Sequence, residues 1–214
     1  MDVVIAGGHG QVALRLTRLL TARGERVRSL IRNPEHTADV EAAGGLPVLF
    51  DLEELGADAL ARALEGADAV VFAAGAGPGS GPERKRTVDL GGALKLIDAA
   101  GAAQVRRYVM VSSIGADDPG AGPEAMRPYL EAKAEADAAL QASGLDFTIV
   151  RPGGLTDEPG TAKVTAGEDV GRREIPRDDV AAVLAGVLDE PRTVGKAFVV
   201  VQGDTPIPEA LRQV

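Results

Sequence analysis

Short apolar runs alternate along the chain with longer segments that carry hydrophobic residues at helical spacing. The runs predicted to be strands are Val3–Ala6, Val27–Ile31, Pro47–Phe50, Ala69–Ala73, Val105–Val111 and Phe147–Val150. The segments predicted to be helices are Gln11–Arg23, about Glu35–Ala43, Ala57–Leu64, Arg84–Ala102 and Pro123–Ser143. The apolar runs do not alternate with polar residues, which is typical of strands that helices cover on both faces. The pattern therefore predicts an α/β fold with a mostly parallel sheet and right-handed crossovers.

The regular alternation of predicted strands and helices stops after Pro152. The segment Gly153–Glu174 is rich in Gly, Asp and Thr, with only a weak strand signal at Ala162–Thr165. The elements predicted after it are a helix (Arg177–Leu188), a strand (Ala197–Val201) and a short helix (Pro208–Gln213). We expect a single domain over residues 1–214, with a sheet of about seven strands and a small cap near 153–176 on the substrate side. The Gly- and Pro-rich segments Gly75–Pro82 and Gly153–Gly171 could form a lid beside a bound ligand.

Composition excludes several classes of protein. The 214 residues contain no cysteine and two histidines, so disulfides, thiolate metal sites and a Ser-His-Asp triad are not expected, and no metal site is predicted. A net charge of −9 argues against a nucleic-acid partner. No apolar run reaches the roughly 18 residues needed to cross a bilayer, and no signal-like segment opens the chain. We expect a cytoplasmic protein whose partner is a small molecule rather than a membrane.

A glycine-rich turn joins the first predicted strand to the first predicted helix. The sequence Gly7-Gly8-His9-Gly10-Gln11-Val12-Ala13 provides a glycine for the tight turn (Gly7) and one for close approach of a diphosphate (Gly10). Ala13 takes the place of the third glycine, where a small residue suffices for helix–strand packing. The helix N-terminus adds free N–H groups and a positive dipole end. A strand–turn–helix unit of this kind predicts a doubly wound, Rossmann-type dinucleotide-binding fold.

The end of the second predicted strand bears on the choice of cofactor. Enzymes that use NAD carry an acidic residue there for the ribose hydroxyls, whereas this strand ends in Leu30-Ile31-Arg32-Asn33. Arg32 could bind a 2′-phosphate through its guanidinium fork, which favours NADP(H) over NAD(H). It could equally be a solvated arginine. Asp51, after the third strand, could accept a hydrogen bond from the adenine amino group or cap the next helix.

A serine, a tyrosine and a lysine form a candidate catalytic group. Tyr129 and Lys133 are four residues apart in a predicted helix, so they project from one face. Ser112 and Ser113 end the fifth strand, at the sheet edge where such folds bind ligands. A lysine ammonium favours the phenolate, a tyrosine beside it can exchange a proton with an alcohol, and a serine can bind the substrate oxygen. The alternative is a packed tyrosine and a solvated lysine.

These segments together resemble the atypical short-chain dehydrogenase/reductases with an extended-type glycine motif, a group of NAD(P)H-binding proteins related to NAD-dependent epimerases and dehydratases. The stretches that carry the resemblance are VVIAGGHGQVA, LIRNP, VFAAGAG, VMVSSIGADDP, YLEAKAEAD, GLDFTIVRPGGLTDEPG and IPRDDVA, which occur in order along nearly the whole chain. Asp89 departs from the pattern, because it stands where the superfamily usually has an asparagine of its proton relay.

The resemblance implies roles for individual residues. It implies that Ser113, with Ser112 as second choice, binds the substrate oxygen, that Tyr129 is the acid/base, and that Lys133 supports the phenolate and holds the nicotinamide ribose. The residues implied to contact the cofactor are Gly7, His9, Gly10, Gln11, Val12, Arg32, Asp51, Leu52, Ala73, Ala74, Gly75, Val111, Lys133, Pro152 and Gly153.

Several functions are compatible with this sequence. The leading hypothesis is an NADP(H)-dependent oxidoreductase acting on a small carbonyl or alcohol. The alternatives are an NADP(H)-binding redox sensor without catalysis, a sugar epimerase or dehydratase with recycled cofactor, and a flavin or quinone reductase that needs no tyrosine proton. The short stretch after Pro152 leaves little room for a nucleotide-sugar domain. The chain is expected to be a monomer or a homodimer, since the alanine-rich segment Glu131–Ala142 could pack internally or against a second copy.

Overall fold

The computed structural model describes residues 1–77 and 79–214. Pro78, which belongs to the predicted lid segment Gly75–Pro82, lies outside the described residues. The strands are β1 (Asp2–Ala6), β2 (Arg26–Ile31), β3 (Leu46–Leu49), β4 (Ala69–Phe72), β5 (Arg107–Val111), β6 (Asp146–Pro152), β7 (Gly154–Thr156), β8 (Lys163–Gly167), β9 (Glu174–Pro176), β10 (Lys196–Gln202) and β11 (Thr205–Pro206).

The helices lie between the strands along the chain. They are α1 (Gln11–Ala22), α2 (Thr37–Ala42), α3 (Ala57–Leu64), α4 (Pro82–Arg84), α5 (Ala93–Ala102), α6 (Arg127–Ala142), α7 (Arg177–Asp189) and α8 (Ile207–Ala210). A π-helical segment (Lys85–Gly92) joins α4 to α5, and 3₁₀ turns cover Pro34–His36, Pro119–Ala121, Glu124–Met126 and Pro191–Thr193.

The strand order explains where a ligand can bind. The main sheet has the order β11-β8-β10-β6-β5-β4-β1-β2-β3, and the seven strands from β10 to β3 pair in parallel. The chain leaves β1 toward β2 and later returns to place β4 on the other side of β1. The strand order therefore reverses beside β1, and the crevice at the carboxyl end of such a switch point is where open α/β sheets bind ligands. The glycine turn follows β1 directly.

Apolar side chains fill a layer on each face of the sheet. On one face the inward residues of β1 pack against α1 and α7, with Leu16, Leu20 and Val183 fully buried. On the other face α3, α5 and α6 bury residues such as Leu60 and Leu96. The helices α1 and α3 each bury one stripe of residues, as expected for helices that cover a sheet. The predicted Rossmann-type, doubly wound fold is confirmed.

The sheet is larger than predicted, with nine strands instead of about seven. The seven predicted parallel strands are present, and the two additional ones are β8, at the weak signal near Ala162–Thr165, and the two-residue β11. Both are antiparallel additions at one edge. The strands β7 and β9 pair separately, so much of the predicted cap at 153–176 is strand. The strands β7, β9 and β11 are short and rich in Gly, Thr and Pro, which is why the apolar pattern did not reveal them.

Two predicted helices also differ in form. The segment predicted as one helix over Arg84–Ala102 changes from α4 into a π-helical turn before α5 begins. The π-helical segment contains a buried Asp89 and the pair Gly91-Gly92, which disfavour a regular helix interior. The last helix, α8, spans four residues, fewer than the Pro208–Gln213 predicted. No helix in the described part of the chain has the length and apolar character to cross a bilayer.

Candidate functional site

The glycine turn after β1 is shaped by close backbone contacts. Gly7 has a φ of +81°, and a Cβ on it would lie 2.5 Å from Ala74 Cα. A Cβ on Gly8 would overlap the side chain of Ser29. The Gly10 N–H donates to Gly7 O (2.9 Å), which closes the turn just before α1. Because the first N–H groups of a helix have no intrahelical partner, those of Gln11 and Val12 are available to an anion in front of the turn.

A cleft of about 280 Å³ opens beside this turn at the carboxyl edge of the sheet. Nine of its lining residues are among the cofactor contacts expected from the sequence: Gly7, His9, Gly10, Arg32, Asp51, Leu52, Ala73, Ala74 and Gly75. The cleft also contains residues that sequence reasoning missed, namely Leu30, Ile31, His36, Phe50, Glu53, Arg84 and Val88. The fold thus brings the ends of β1, β2, β3 and β4 around one cavity.

A carboxylate lies between two arginines at the β2 end of the cleft. Arg32 Nη1 donates to Glu53 Oε2 (3.1 Å), and Arg84 Nη2 lies 3.6 Å from the same oxygen. The Thr87 hydroxyl donates to Glu53 Oε1 (2.7 Å). The Arg32 side chain is 54 % exposed and that of Glu53 26 % exposed, so these ion pairs can exchange partners. No carboxylate was expected near Arg32, because Glu53 comes from the segment after β3.

The two histidines stack at the rim of the same cleft. The rings of His9 and His36 lie 3.5 Å apart between centroids, at an interplanar angle of 9°. His9 Nε2 lies 2.8 Å from Asp39 Oδ2. Asp51 accepts the Glu53 N–H at 2.8 Å through Oδ1, so it organises the loop after β3 while it lines the cavity. Both rings line the cleft, so they place aromatic side chains where a purine or a ribose could contact them.

The predicted Tyr129–Lys133 pair is present, but the lysine is buried. The Lys133 side chain is 3 % exposed, and its Nζ lies 3.3 Å from Asp89 Oδ1, whose side chain is 1 % exposed. Nζ also donates to Val111 O (3.1 Å) and sits 5.8 Å from the Tyr129 ring centroid. Asp89 Oδ2 accepts the Ala76 N–H (3.0 Å). The ammonium is therefore neutralised by the carboxylate from the π-helical segment, whereas Tyr129 is half-buried at the surface.

The two candidate serines differ in burial and in their hydrogen bonds. The Ser112 hydroxyl is buried and donates to Asp137 Oδ2 (2.9 Å), and Arg151 Nε donates to the same oxygen (3.0 Å). Burial raises the pKa of the Asp137 carboxyl, and the hydrogen bonds from Ser112 and Arg151 offset part of this effect. Ser113 is half-buried, and within the described residues its hydroxyl donates only a long bond to Ile114 O (3.3 Å). Ser113 is thus the serine with a hydroxyl free to meet a substrate.

The remaining predicted contacts have evident roles in the fold. Gly153 donates its N–H to Val200 O (2.9 Å), and a Cβ on it would overlap Arg173 O. Pro152 O accepts the Ile114 N–H (2.9 Å). Val12 is partly buried in the core layer beside α1. These residues position the sheet edge, and their contact with a cofactor stays a prediction, as it does for Gln11 and Val111.

A second, smaller cleft of about 160 Å³ lies between the loop after β5 and the loop after β8. Its walls carry the carboxylates Asp117, Asp118, Glu168 and Asp169, together with Arg172. Ile114 and Gly115, which directly follow Ser113, also line it. It therefore adjoins the serine end of the candidate catalytic group and is the cavity in which a substrate can be sought.

The residues around the larger cleft fit a dinucleotide. The turn offers backbone N–H groups, and Gly7 and Gly8 let it pack closely on Ala74 and Ser29 just before α1 begins. Carboxylates and arginines gather at the β2 and β3 ends, where the ribose of the adenosine half is bound in such folds.

Comparisons with known proteins agree with this geometry. A family profile described as NAD(P)H-binding matches residues 7–191. A Bacillus subtilis protein named as an uncharacterized sugar epimerase is 44% identical over 214 residues and all of both chains. A solved Bacillus halodurans protein, provisionally described as an NAD-dependent epimerase/dehydratase, matches all of both chains with 41% identity and a TM-score of 0.94. A solved Lactococcus lactis oxidoreductase is 29% identical with a TM-score of 0.87, over 100% of this chain and 96% of that one. The chain belongs to the NAD(P)H-binding family.

Proposed function

We propose that this protein is an NADP(H)-dependent oxidoreductase that acts on a small carbonyl or alcohol. The observation that carries the proposal is the pair of guanidinium groups, Arg32 and Arg84, at the ribose end of the dinucleotide cleft. A 2′-phosphate carries up to two negative charges and accepts bidentate hydrogen bonds from arginine. The similarity to the Lactococcus lactis oxidoreductase supports reductase chemistry.

The proton chemistry falls to side chains at the β5 end of the crevice. A bound nicotinamide dinucleotide supplies or accepts the hydride at the substrate carbon. In the reducing direction the Tyr129 phenol gives its proton to the substrate oxygen, and in the oxidising direction the phenolate takes it back. The Ser113 hydroxyl donates a hydrogen bond to that oxygen and so holds the carbonyl toward the crevice. Lys133 lies on the same face of α6 as Tyr129, and its ammonium forms an ion pair with Asp89.

The cofactor part of the proposal is tested by titration. Purified protein would be titrated with NADPH and NADH while nicotinamide fluorescence is followed, in wild type and in Arg32→Ala. We expect NADPH to bind at least about tenfold more tightly than NADH, with this preference lost in the variant, because one bidentate phosphate contact is worth roughly 1.4 kcal/mol or more. Equal affinities in wild type would overturn the NADP(H) preference. Absence of binding by either nucleotide would overturn the function itself.

The catalytic part is tested with a panel of small aldehydes and ketones. Tyr129→Phe should lower kcat by about 10²–10⁴-fold, since it removes the proton donor, and leave the NADPH dissociation constant within a factor of about two. Ser113→Ala should lower kcat less. A matched control is Tyr108→Phe, because Tyr108 is buried in the sheet and is not among the residues that line the cleft. Turnover that survives Tyr129→Phe would refute the role given to the phenol.

One observation favours a second candidate function. Because Asp89 neutralises Lys133, the phenol of Tyr129 lacks the uncompensated positive charge that assists proton transfer in the expected mechanism. Hydride transfer to a flavin or a quinone needs no proton from this tyrosine. The distinguishing result is NADPH oxidation by such acceptors at equal rates in wild type and Tyr129→Phe, together with no turnover of carbonyl compounds.

A further inference from the structure

Glu53 lines the dinucleotide cleft and lies between two arginines. It comes from the loop after β3, yet its partners come from three other places: Arg32 at the end of β2, Arg84 in α4, and Thr87 in the π-helical segment. Arg32 donates to this carboxylate at 3.1 Å, and Arg84 lies 3.6 Å from the same oxygen. All three charged side chains line the dinucleotide cleft.

The charges at this point suit two different ligands. Two guanidinium groups and one carboxylate leave a single net positive charge, and each side chain is partly exposed, so none is committed to its partner by burial. A ribose with free hydroxyls needs an acceptor, which the carboxylate provides. A 2′-phosphate needs donors, which the arginines provide, but the carboxylate both repels it and competes for the same N–H groups.

We infer that Glu53 determines the cofactor specificity of this site. With NAD(H) it accepts from the ribose hydroxyl and keeps both arginines. With NADP(H) it releases Arg32 and Arg84 to the 2′-phosphate. The free energy needed to break the existing ion pairs then offsets part of the binding free energy that the two arginines contribute. The preference for NADP(H) in the wild-type protein is therefore smaller than the two arginines alone would give. This inference rests on the proposed dinucleotide-binding function.

The test removes the charge of Glu53 while keeping its shape. Wild type, Glu53→Gln and Arg84→Ala would each be titrated with NADPH and NADH by nicotinamide fluorescence, and with 2′,5′-ADP and 5′-ADP by calorimetry, which probes the adenosine half alone. Glu54→Gln is the matched control, because it makes the same charge change one residue away, at an exposed position that does not line the cleft. Thermal melting of each variant confirms that the fold is intact.

The expected results are selective. Glu53→Gln should tighten NADPH and 2′,5′-ADP by about tenfold and weaken NADH by about threefold, whereas Glu54→Gln should change every affinity by less than about twofold. Arg84→Ala should weaken NADPH about tenfold and leave NADH nearly unchanged. The ratio of the two affinities is the measured quantity, and it separates a local exchange of partners from a general effect of charge.

Four outcomes overturn the inference. If Glu53→Gln and Glu54→Gln shift both nucleotides equally, the effect is long-range and Glu53 selects nothing. If Glu53→Gln weakens NADPH, the carboxylate positions the arginines for the phosphate instead of competing with it. If wild type prefers NADPH through Arg32 while Glu53→Gln leaves the ratio unchanged, the specificity role fails and the proposed function stands. Absence of binding by both nucleotides removes the proposed function and this inference together.

Discussion

The buried pair of Lys133 and Asp89 allows a quantitative prediction about stability. The two charged atoms are 3.3 Å apart, and the side chains are 3 % and 1 % exposed, so solvent screens them little. At an effective dielectric constant of about 20, two unit charges at this separation attract each other by about 5 kcal/mol. Much of this attraction offsets the free energy of taking both groups out of water. Removing one member should nevertheless lower the free energy of unfolding by about 3–5 kcal/mol, because it leaves an uncompensated buried charge.

The assay is urea unfolding at about pH 7, followed by circular dichroism, in Lys133→Met, Asp89→Asn and the double variant. The double variant should cost at least about 2 kcal/mol less than the sum of the single variants, because it leaves neither charge unpaired. We expect Lys133→Met to be the more costly single change, since the Lys133 ammonium also acts on the nearby Asp137 carboxylate. In Asp89→Asn, by contrast, the amide oxygen of the new side chain could still accept the Ala76 N–H.

A second pair between the same two elements provides the control. Arg86 and Glu135 also bridge the π-helical segment and α6, at 3.5 Å, but their side chains are exposed to solvent. Arg86→Met and Glu135→Gln should each cost less than about 1 kcal/mol. Single variants of Lys133 and Asp89 that cost no more than this control, or a double variant that equals the sum, would refute the conclusion that the buried pair is formed in solution.

Three further predictions follow from single positions. Gly7→Ala should lower the free energy of unfolding by at least about 2 kcal/mol and abolish nucleotide binding in a fluorescence titration, because a Cβ there meets Ala74 Cα at 2.5 Å. Its control is Gly66→Ala, which is also at positive φ but in open space and should lower the free energy of unfolding by only about 1 kcal/mol. Burial raises the pKa of Asp137, so over a range of pH the folded protein keeps this proton while the unfolded protein has lost it. The free energy of unfolding of wild type, measured relative to Asp137→Asn, should therefore fall as pH rises above 3.8 and level off once the folded carboxyl ionises. A free-energy difference that rises with pH would contradict the raised pKa. Tyr108→Phe should leave the free energy of unfolding unchanged or raise it by up to about 1 kcal/mol in the same urea assay, since the Tyr108 hydroxyl is buried without a hydrogen-bond partner among the described residues. A decrease of more than about 1 kcal/mol would show that this hydroxyl does form a hydrogen bond in the folded protein.

The parts of the fold that the sequence predicted are those specified by local pattern. The apolar run of β1, the glycines of the turn and the amphipathic α1 are contiguous, so the dinucleotide cradle could be located from about twenty residues. The parts that it did not predict depend on distant contacts. The strands β7 and β9 have few apolar residues, and each takes its ladder hydrogen-bond partners from the other, which is distant along the chain.

The charged residues of the cleft also depend on contacts between distant segments, which a local sequence pattern does not predict. Arg32 was recognised because it ends a strand, but Glu53 and Arg84 lie 21 and 52 residues further along the chain, and nothing in their own surroundings marks them. They meet because β2 and β3 are neighbours in the sheet and Arg84 of α4 lines the cleft at the ends of these strands. The absence of a carboxylate at the end of β2 is therefore a weak argument for NADP(H), since the segment after the next strand places one at the same point.

Helical spacing predicts which face a side chain shares but not how deeply it is buried. Tyr129 and Lys133 do share a face of α6, yet one is half-buried and the other is enclosed by Asp89 and Val111 O. The difference comes from the π-helical segment, which presents a carboxylate to α6 where a regular helix was expected. π-Helical turns are rare and occur frequently at functional sites. The segment also carries Thr87, whose hydroxyl donates to Glu53, so one irregular element contacts both the buried lysine of α6 and the carboxylate at the β2 end of the cleft.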